Sequence, residues 1–172
     1  NGVGVGYSLF AQNGEIIVGY GHKRLAEFPI KGGSSVYRDE YIDKRMVKIA
    51  EKIITYVNWS GFAMFEFKLT DNDELFLIEV NPRIWGSINQ GLVNGINYFS
   101  FLLGSPKEKN NYNKNNYKTY LSPLIYFSLL NYLLNFKFRS IYIFFSNILK
   151  NKSDINFIKD PKGWSSMLFR YI

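Results

Sequence analysis

FEFKLTDNDELFLIEVNPR, residues 65–83, places a glutamate in the middle of each of two apolar runs. Aromatic and branched side chains flank the polar group Asp71–Glu74, so the stretch reads as two antiparallel strands joined by a tight turn. If that turn closes as a two-residue or a four-residue loop, its centre lies between Asn72 and Asp73, and Glu66 faces Glu79. Alternation then sets Phe62, Met64, Glu66 and Lys68 on one side of the first strand, and Leu75, Leu77, Glu79 and Asn81 on one side of the second. Two like charges directly opposed repel, and burial raises the cost. A divalent cation removes both problems. The Glu66 and Glu79 carboxylates and the Asn81 amide oxygen are hard donors, with no Cys or His beside them, suited to magnesium or manganese. Magnesium completes its shell with water and phosphate oxygens, which suggests a nucleotide phosphate as the remaining partner. A three-residue loop would instead slip the register, part the pair and leave each acid a solvated residue on a polar face.

Upstream, GVGVGYSLF alternates Val3, Val5, Tyr7 and Leu9 with small residues, and Asn13-Gly14 is a hairpin turn leading into EIIVGYGHKRL. From Tyr41 to Val57, Ile42, Met46, Ile49, Ile53 and Val57 recur at helical spacing, with Asp39, Glu40, Lys44, Lys48 and Lys52 toward water. Asn58 fits a helix stop, and Gly61 opens the next strand. After the acidic hairpin, NPRIWGS is a loop, and Gly91 to Leu103 reads as a short helix.

The chain has 172 residues, 47% of them apolar, enough for one domain with a real core and an appendage. It opens on Asn1 rather than Met, directly in a Gly-rich strand, which points to a piece of a longer product. It has no Cys, so disulfides and thiolate chemistry are excluded and a cytoplasmic setting is compatible. Residues 1–104 carry 10 basic and 11 acidic side chains, whereas 105–172 carry 11 basic and 3 acidic, so the charge of +7 belongs to the tail. KEKNNYNKNNYK, residues 107–118, has nothing to bury and reads as a linker within 105–119.

GFAMFEFK followed by LFLIEVNPRIWGS resembles the C-terminal subdomain of the ATP-grasp superfamily, in the branch similar to carbamoyl-phosphate synthase and the D-alanine ligases. HKRLAEFP followed by GGSS matches the same branch. The resemblance covers residues 1–104 and implies an α+β fold, an antiparallel sheet with packed helices, whose N-terminal partner subdomain is missing here. It also implies that Glu66, Glu79 and Asn81 bind the magnesium ions that bridge ATP phosphates, and that Arg83 contacts the transferring phosphate or the substrate carboxylate. His22, Arg24, Gly33 and Ser34 would line the nucleotide or substrate pocket. The implied reaction is that of an ATP-dependent ligase: ATP phosphorylates a small carboxylate, and an amine or similar nucleophile attacks the acyl phosphate. The alternative is a non-catalytic nucleotide-binding or membrane-associated module on an ATP-grasp shell. Without the subdomain that supplies phosphate-binding lysines, the fragment alone is expected to turn over little ATP.

Other chemistries find less support. Gly2, Gly4 and Gly6 follow no strand and precede no helix, so a dinucleotide fingerprint is excluded, and in this family they would give backbone freedom near a hinge. No nucleophile elbow or P-loop is present, and DNDE lacks the spacing of an EF-hand. The lysines are scattered rather than gathered on one face, which argues against nucleic acid as a partner. In the basic, apolar tail, residues 120–172, most residues read as helical. Thr119 to Phe136 carry no charge over 18 residues and approach the length of a membrane span, but Pro123, Ser128 and Asn131 interrupt them. Two amphipathic helices, packed on the domain or lying on an anionic membrane surface, fit better.

Overall fold

Asn13 and Gly14 both hold positive φ, 51° and 77°, the conformation that lets a two-residue turn match the twist of the strands it joins. The turn links β1 (Gly2–Gln12) to β2 (Glu15–Phe28), with Gln12 opposite Glu15. The computed structural model describes residues 2–29, 32–104 and 116–169. Their contacts divide into two units, one drawn from residues 2–23 and 40–104, the other from 24–39 and 116–169.

In the first unit, β4 (Gly61–Thr70) and β5 (Leu75–Asn81) extend the hairpin in the order β5-β4-β1-β2, every neighbour antiparallel. One face of this sheet presents Val5, Tyr7, Leu9, Ala63, Phe65 and Phe67 to α1 (Lys44–Tyr56), which buries Met46, Ala50 and Ile54 against them. Each large apolar side chain taken fully out of water there contributes roughly 1.5–3 kcal/mol. Asp43 caps the helix by accepting from the Arg45 N–H at 2.8 Å. The buried stripe is therefore centred on 46, 50 and 54, with Ile49 and Ile53 at its margin. Ile42 and Val57 lie outside the helix and are exposed, because the cap starts the helix after Ile42. The opposite sheet face carries Phe10, Val18, Tyr20 and Met64, which pack with Trp85, Ile96 and Tyr98. The segment read as one short helix is two, α2 (Asn89–Val93) and α3 (Tyr98–Leu102), separated by Gly95 at φ 92°.

The second unit contains β3 (Ser34–Glu40), β6 (Lys118–Tyr120) and β7 (Asn151–Ser153), with β6 antiparallel to β3 and parallel to β7. Asp39 and Glu40 end β3 rather than lying on the polar side of α1. Around these strands lie α4 (Leu124–Leu134), α5 (Phe138–Ser146) and α6 (Pro161–Phe169). Val36, Tyr37, Leu124, Ile125, Tyr132 and Phe144 form the core. Arg38 is 2% exposed and ion-paired with Asp154, and Lys118 pairs with Asp39. The tail is thus mostly helical but also contributes two short strands, and Arg24–Asp39 packs with it. Of the expected linker, residues 105–115 lie outside the described residues, while Lys118 opens β6. Among the described residues no helix is long and apolar enough to cross a membrane.

Candidate metal and phosphate site

The hairpin of β4 and β5 closes on three residues, not two or four. The Thr70 N–H donates to the Glu74 carbonyl at 2.9 Å, the Asp73 N–H donates to the Thr70 carbonyl at 3.1 Å, and Asp73 takes φ 61°. This is the type I turn followed by a left-handed residue that three-residue hairpins favour. The register leaving the turn is accordingly shifted by one: Leu69 stands opposite Leu75 and Phe67 opposite Leu77. Had it continued, Ile78 would oppose Glu66. Instead a β-bulge falls there, and Glu66 stands opposite Glu79, Phe65 opposite Val80 and Met64 opposite Asn81. The two acids are paired as the sequence suggested, by a route it did not show. The bulge also corrects the alternation of β5. Leu75 and Leu77 share the α1 face with Phe67 and Leu69, while Glu79 and Asn81 point with Glu66 and Met64 to the other side.

Across the sheet the acids belong to one row. Glu79 on β5 faces Glu66 on β4, Glu66 faces Gly6 on β1, and Gly6 faces His22 on β2. Gly6 has a reason to lack a side chain: a Cβ there would lie 2.6 Å from His22 Cε1. The imidazole, 2% exposed, therefore lies over β1, in the direction of Glu66. The small residues that alternate with Val3, Val5, Tyr7 and Leu9 form the floor of this face, a mid-strand role in place of the hinge freedom expected of them. The alternation marks Gly6 as a strand residue, but its packing against His22 depends on the register of β1 with β2.

Glu79, Asn81 and Arg83 are joined by side-chain hydrogen bonds. Asn81 Nδ2 donates to Glu79 Oε1 at 2.7 Å, and Arg83 Nη2 donates to Asn81 Oδ1 at 3.3 Å. Between them the Arg83 N–H donates to the Asn81 carbonyl at 2.9 Å across Pro82, whose ring fixes φ and stiffens the tight turn. Glu66 is half-buried, whereas Glu79 and Arg83 are exposed. Arg83 Nη1 also donates to the Ile84 carbonyl at 3.1 Å.

The donor set fits a hard divalent cation. Two carboxylates and an amide lie on adjacent strands of one sheet face, and opposed Cβ atoms in such pairs are about 5 Å apart. Among the described residues no group of three or more His, Asp or Glu converges. A cation here would therefore keep positions for water and phosphate oxygens, which is how magnesium is usually held.

The remaining residues that the resemblance assigned to nucleotide are distributed differently. His22 shares the acidic row. Arg24, Gly33 and Ser34 belong to the second unit. Arg24 pairs with Glu27 at 3.4 Å, and Ser34 is exposed at the start of β3. Gly33 donates its N–H to the Pro29 carbonyl at 3.1 Å, and a Cβ on it would meet the Phe28 backbone at 2.2 Å, so turn packing accounts for the glycine.

Comparison with protein families finds no match, and comparison with curated proteins finds none. Solved structures do resemble the chain. A complete multifunctional pyruvate carboxylase from Rhizobium etli is 20% identical over 56% of this chain and 10% of its own, with a TM-score of 0.47. The biotin carboxylase subunit of a pyruvate carboxylase is 13% identical over 63% of this chain and 26% of its own, with a TM-score of 0.49. A biotin carboxylase from Campylobacter jejuni, in complex with β-γ-ATP, is 15% identical over 61% of this chain and 25% of its own, with a TM-score of 0.47. None of these three structures is of a carbamoyl-phosphate synthase, so they do not confirm that branch. The chain spans between a tenth and about a quarter of the length of these proteins, and they assign no role to any of its residues.

Proposed function

We propose that the first unit is the metal-binding half of an ATP- and magnesium-dependent ligase that joins a small carboxylate to an amine or similar nucleophile. The observation that carries this reading is the register pairing of Glu66 with Glu79, restored by a bulge in a hairpin whose turn would otherwise separate them. Two opposed anions lower stability unless something offsets their charge, and a bulge that re-aims a side chain is a feature found beside active sites. Magnesium, or manganese in its place, would when bound neutralise charge on the phosphate oxygens of ATP.

The chain's own residues then have separate tasks. Glu66 and Glu79 hold the cation, and Asn81 fixes the Glu79 carboxylate while offering its own oxygen. Arg83 presents a planar guanidinium two residues beyond Asn81, suited to a phosphoryl group or a substrate carboxylate. In the proposed reaction a carboxylate oxygen attacks the γ-phosphorus and ADP leaves. The nucleophile's nitrogen then attacks the acyl carbon, phosphate departs and the nitrogen loses a proton. Phosphoryl transfer of this kind depends mainly on positioning and charge neutralisation, which is what this arrangement supplies. His22, Arg24, Gly33 and Ser34 are proposed to contact nucleotide or substrate, and of these His22 lies in the acids' own row.

Titration calorimetry of the chain with ATP tests the proposal. Binding is expected with magnesium and not with EDTA, and Glu79→Gln is expected to weaken it at least tenfold. Equal affinity in EDTA, or in Glu79→Gln, would contradict it. Magnesium-dependent binding by the complete product without turnover would favour the nucleotide-binding module over the ligase.

A further inference from the structure

α4 and α5 bury one side in the core of the second unit and expose apolar residues on the other. In α4 the buried residues are Leu124, Ile125, Ser128 and Tyr132, while Tyr126, Leu130, Leu133 and Leu134 repeat at helical spacing on the exposed side. In α5 Phe144 is buried, while Phe138, Tyr142 and Phe145 follow the same spacing outward. Phe136, in the connection, is 79% exposed, Tyr142 is 72% and Leu134 is 70%. Because Tyr132 and Phe144 belong to one core cluster, the two outward stripes both face away from it. A surface helix ordinarily puts polar residues there, and a contiguous apolar patch on a soluble surface usually has a partner.

The charge pattern identifies that partner. From Asn116 to Ser153 the chain contains no Asp or Glu, yet it carries Lys118, Lys137, Arg139, Lys150 and Lys152. Lys137 and Arg139 are exposed and lie within the connection and first turn that join the two stripes. A second copy docked symmetrically on this face would bring one basic patch against another, and neither α4 nor α5 carries an acid to offset it. A bilayer with anionic headgroups offsets these cations and accepts the aromatic and aliphatic side chains between its headgroups. We infer that α4 and α5 form a peripheral docking face for an anionic lipid bilayer, with Lys137 and Arg139 at headgroup level and the two stripes inserted below. The helices are too short to span, which leaves them lying along the surface. This face lies wholly in the second unit, and nothing in the inference requires the Glu66–Glu79 site.

Flotation of the full chain with vesicles tests it. The chain is expected to float with vesicles of phosphatidylcholine and phosphatidylglycerol, to stay behind with phosphatidylcholine alone, and to be released by salt. Each basic residue near the surface is worth about fivefold, so Lys137→Gln with Arg139→Gln should reduce partitioning about 30-fold. Leu134→Ser with Tyr142→Ser should reduce it at least tenfold. All four side chains are exposed, so both double variants should keep the unfolding temperature of the parent, and Glu79→Gln should float like the parent. Failure of the unsubstituted chain to float, or equal flotation with both vesicle types, overturns the inference. So does a dimer, seen by sedimentation, that the same substitutions dissociate while the chain ignores vesicles.

Discussion

Replacing Glu79 by Gln should stabilise the first unit when no cation is present and remove the stabilisation that the cation brings. Glu66 and Glu79 are direct register partners, so their Cβ atoms are about 5 Å apart, a separation that their charges can share. At that distance the repulsion is about 1 kcal/mol in a water-like medium and about 3 kcal/mol at the effective dielectric of a protein surface. Glu79 is exposed, which favours the lower figure. Its hydrogen bond is not at stake, because a glutamine oxygen can still accept from Asn81 Nδ2 as Glu79 Oε1 does at 2.7 Å. The substitution therefore isolates the charge. In EDTA the variant should be about 1 kcal/mol more stable than the parent, a rise of roughly 2–4 °C in unfolding temperature for a chain of this size. With magnesium and ATP at about a hundred times the dissociation constant, the parent gains about 2.7 kcal/mol and the order reverses. Urea unfolding followed by Trp59 and Trp85 fluorescence, in a Trp164→Phe background that silences the second unit, gives both arms. A variant less stable than the parent in EDTA would show that the two acids do not oppose each other, and an equal gain from magnesium and ATP would show that Glu79 is no ligand.

Gly6→Ala places a methyl group 2.6 Å from His22 Cε1, and since His22 is buried, overpacking should cost about 1–3 kcal/mol. The cost should fall in a His22→Ala background, as a double-mutant cycle would measure. Asp154→Ala leaves the buried Arg38 guanidinium without its acid and should cost about 3–5 kcal/mol in the second unit, most of it recovered by Arg38→Met with Asp154→Leu. The Arg45 side chain and N–H hold the Asp43 carboxyl below the usual aspartate range. With its folded value lowered, Asp43 contributes fully above the unfolded value of about 3.9, and that contribution is lost as pH falls through the folded value. Asp43→Asn keeps an oxygen to cap α1 and should flatten this acid limb in pH-dependent unfolding, whereas Asp43→Ala should cost about 1 kcal/mol at neutral pH.

Much of the first unit is legible in the sequence because its signals are local. Asn13-Gly14 fixes one hairpin, the polar turn at 71–74 announces another, and the recurrence of Met46, Ile49 and Ile53 marks α1. The bulge is not legible. Nothing distinguishes Ile78 from its neighbours in the apolar run, so alternation places Leu77 beside Glu79 when the extra residue separates them. Strand β3 escapes for a different reason: Val36, Tyr37 and Arg38 are all buried, so no apolar and polar alternation records the strand. Arg38 looks like a surface residue until Asp154, 116 positions away, supplies its partner. The three-residue strands β6 and β7 are too short to carry a period; β6 pairs with the edge that β3 offers, and β7 with the edge of β6. At the site, residue types suffice to nominate Glu66, Glu79, Asn81 and Arg83, but the hydrogen-bonded sequence Glu79–Asn81–Arg83 and the His22 ring above Gly6 depend on register across four strands.

Manganese bound in the presence of ATP, measured by electron paramagnetic resonance on the chain and its Glu66→Gln and Glu79→Gln variants, bears most directly on whether these two side chains share a cation. Each single substitution should weaken manganese binding tenfold or more, with the double variant little worse than either single one, because one lost ligand already dismantles the site. Undiminished binding in either single variant would contradict that sharing.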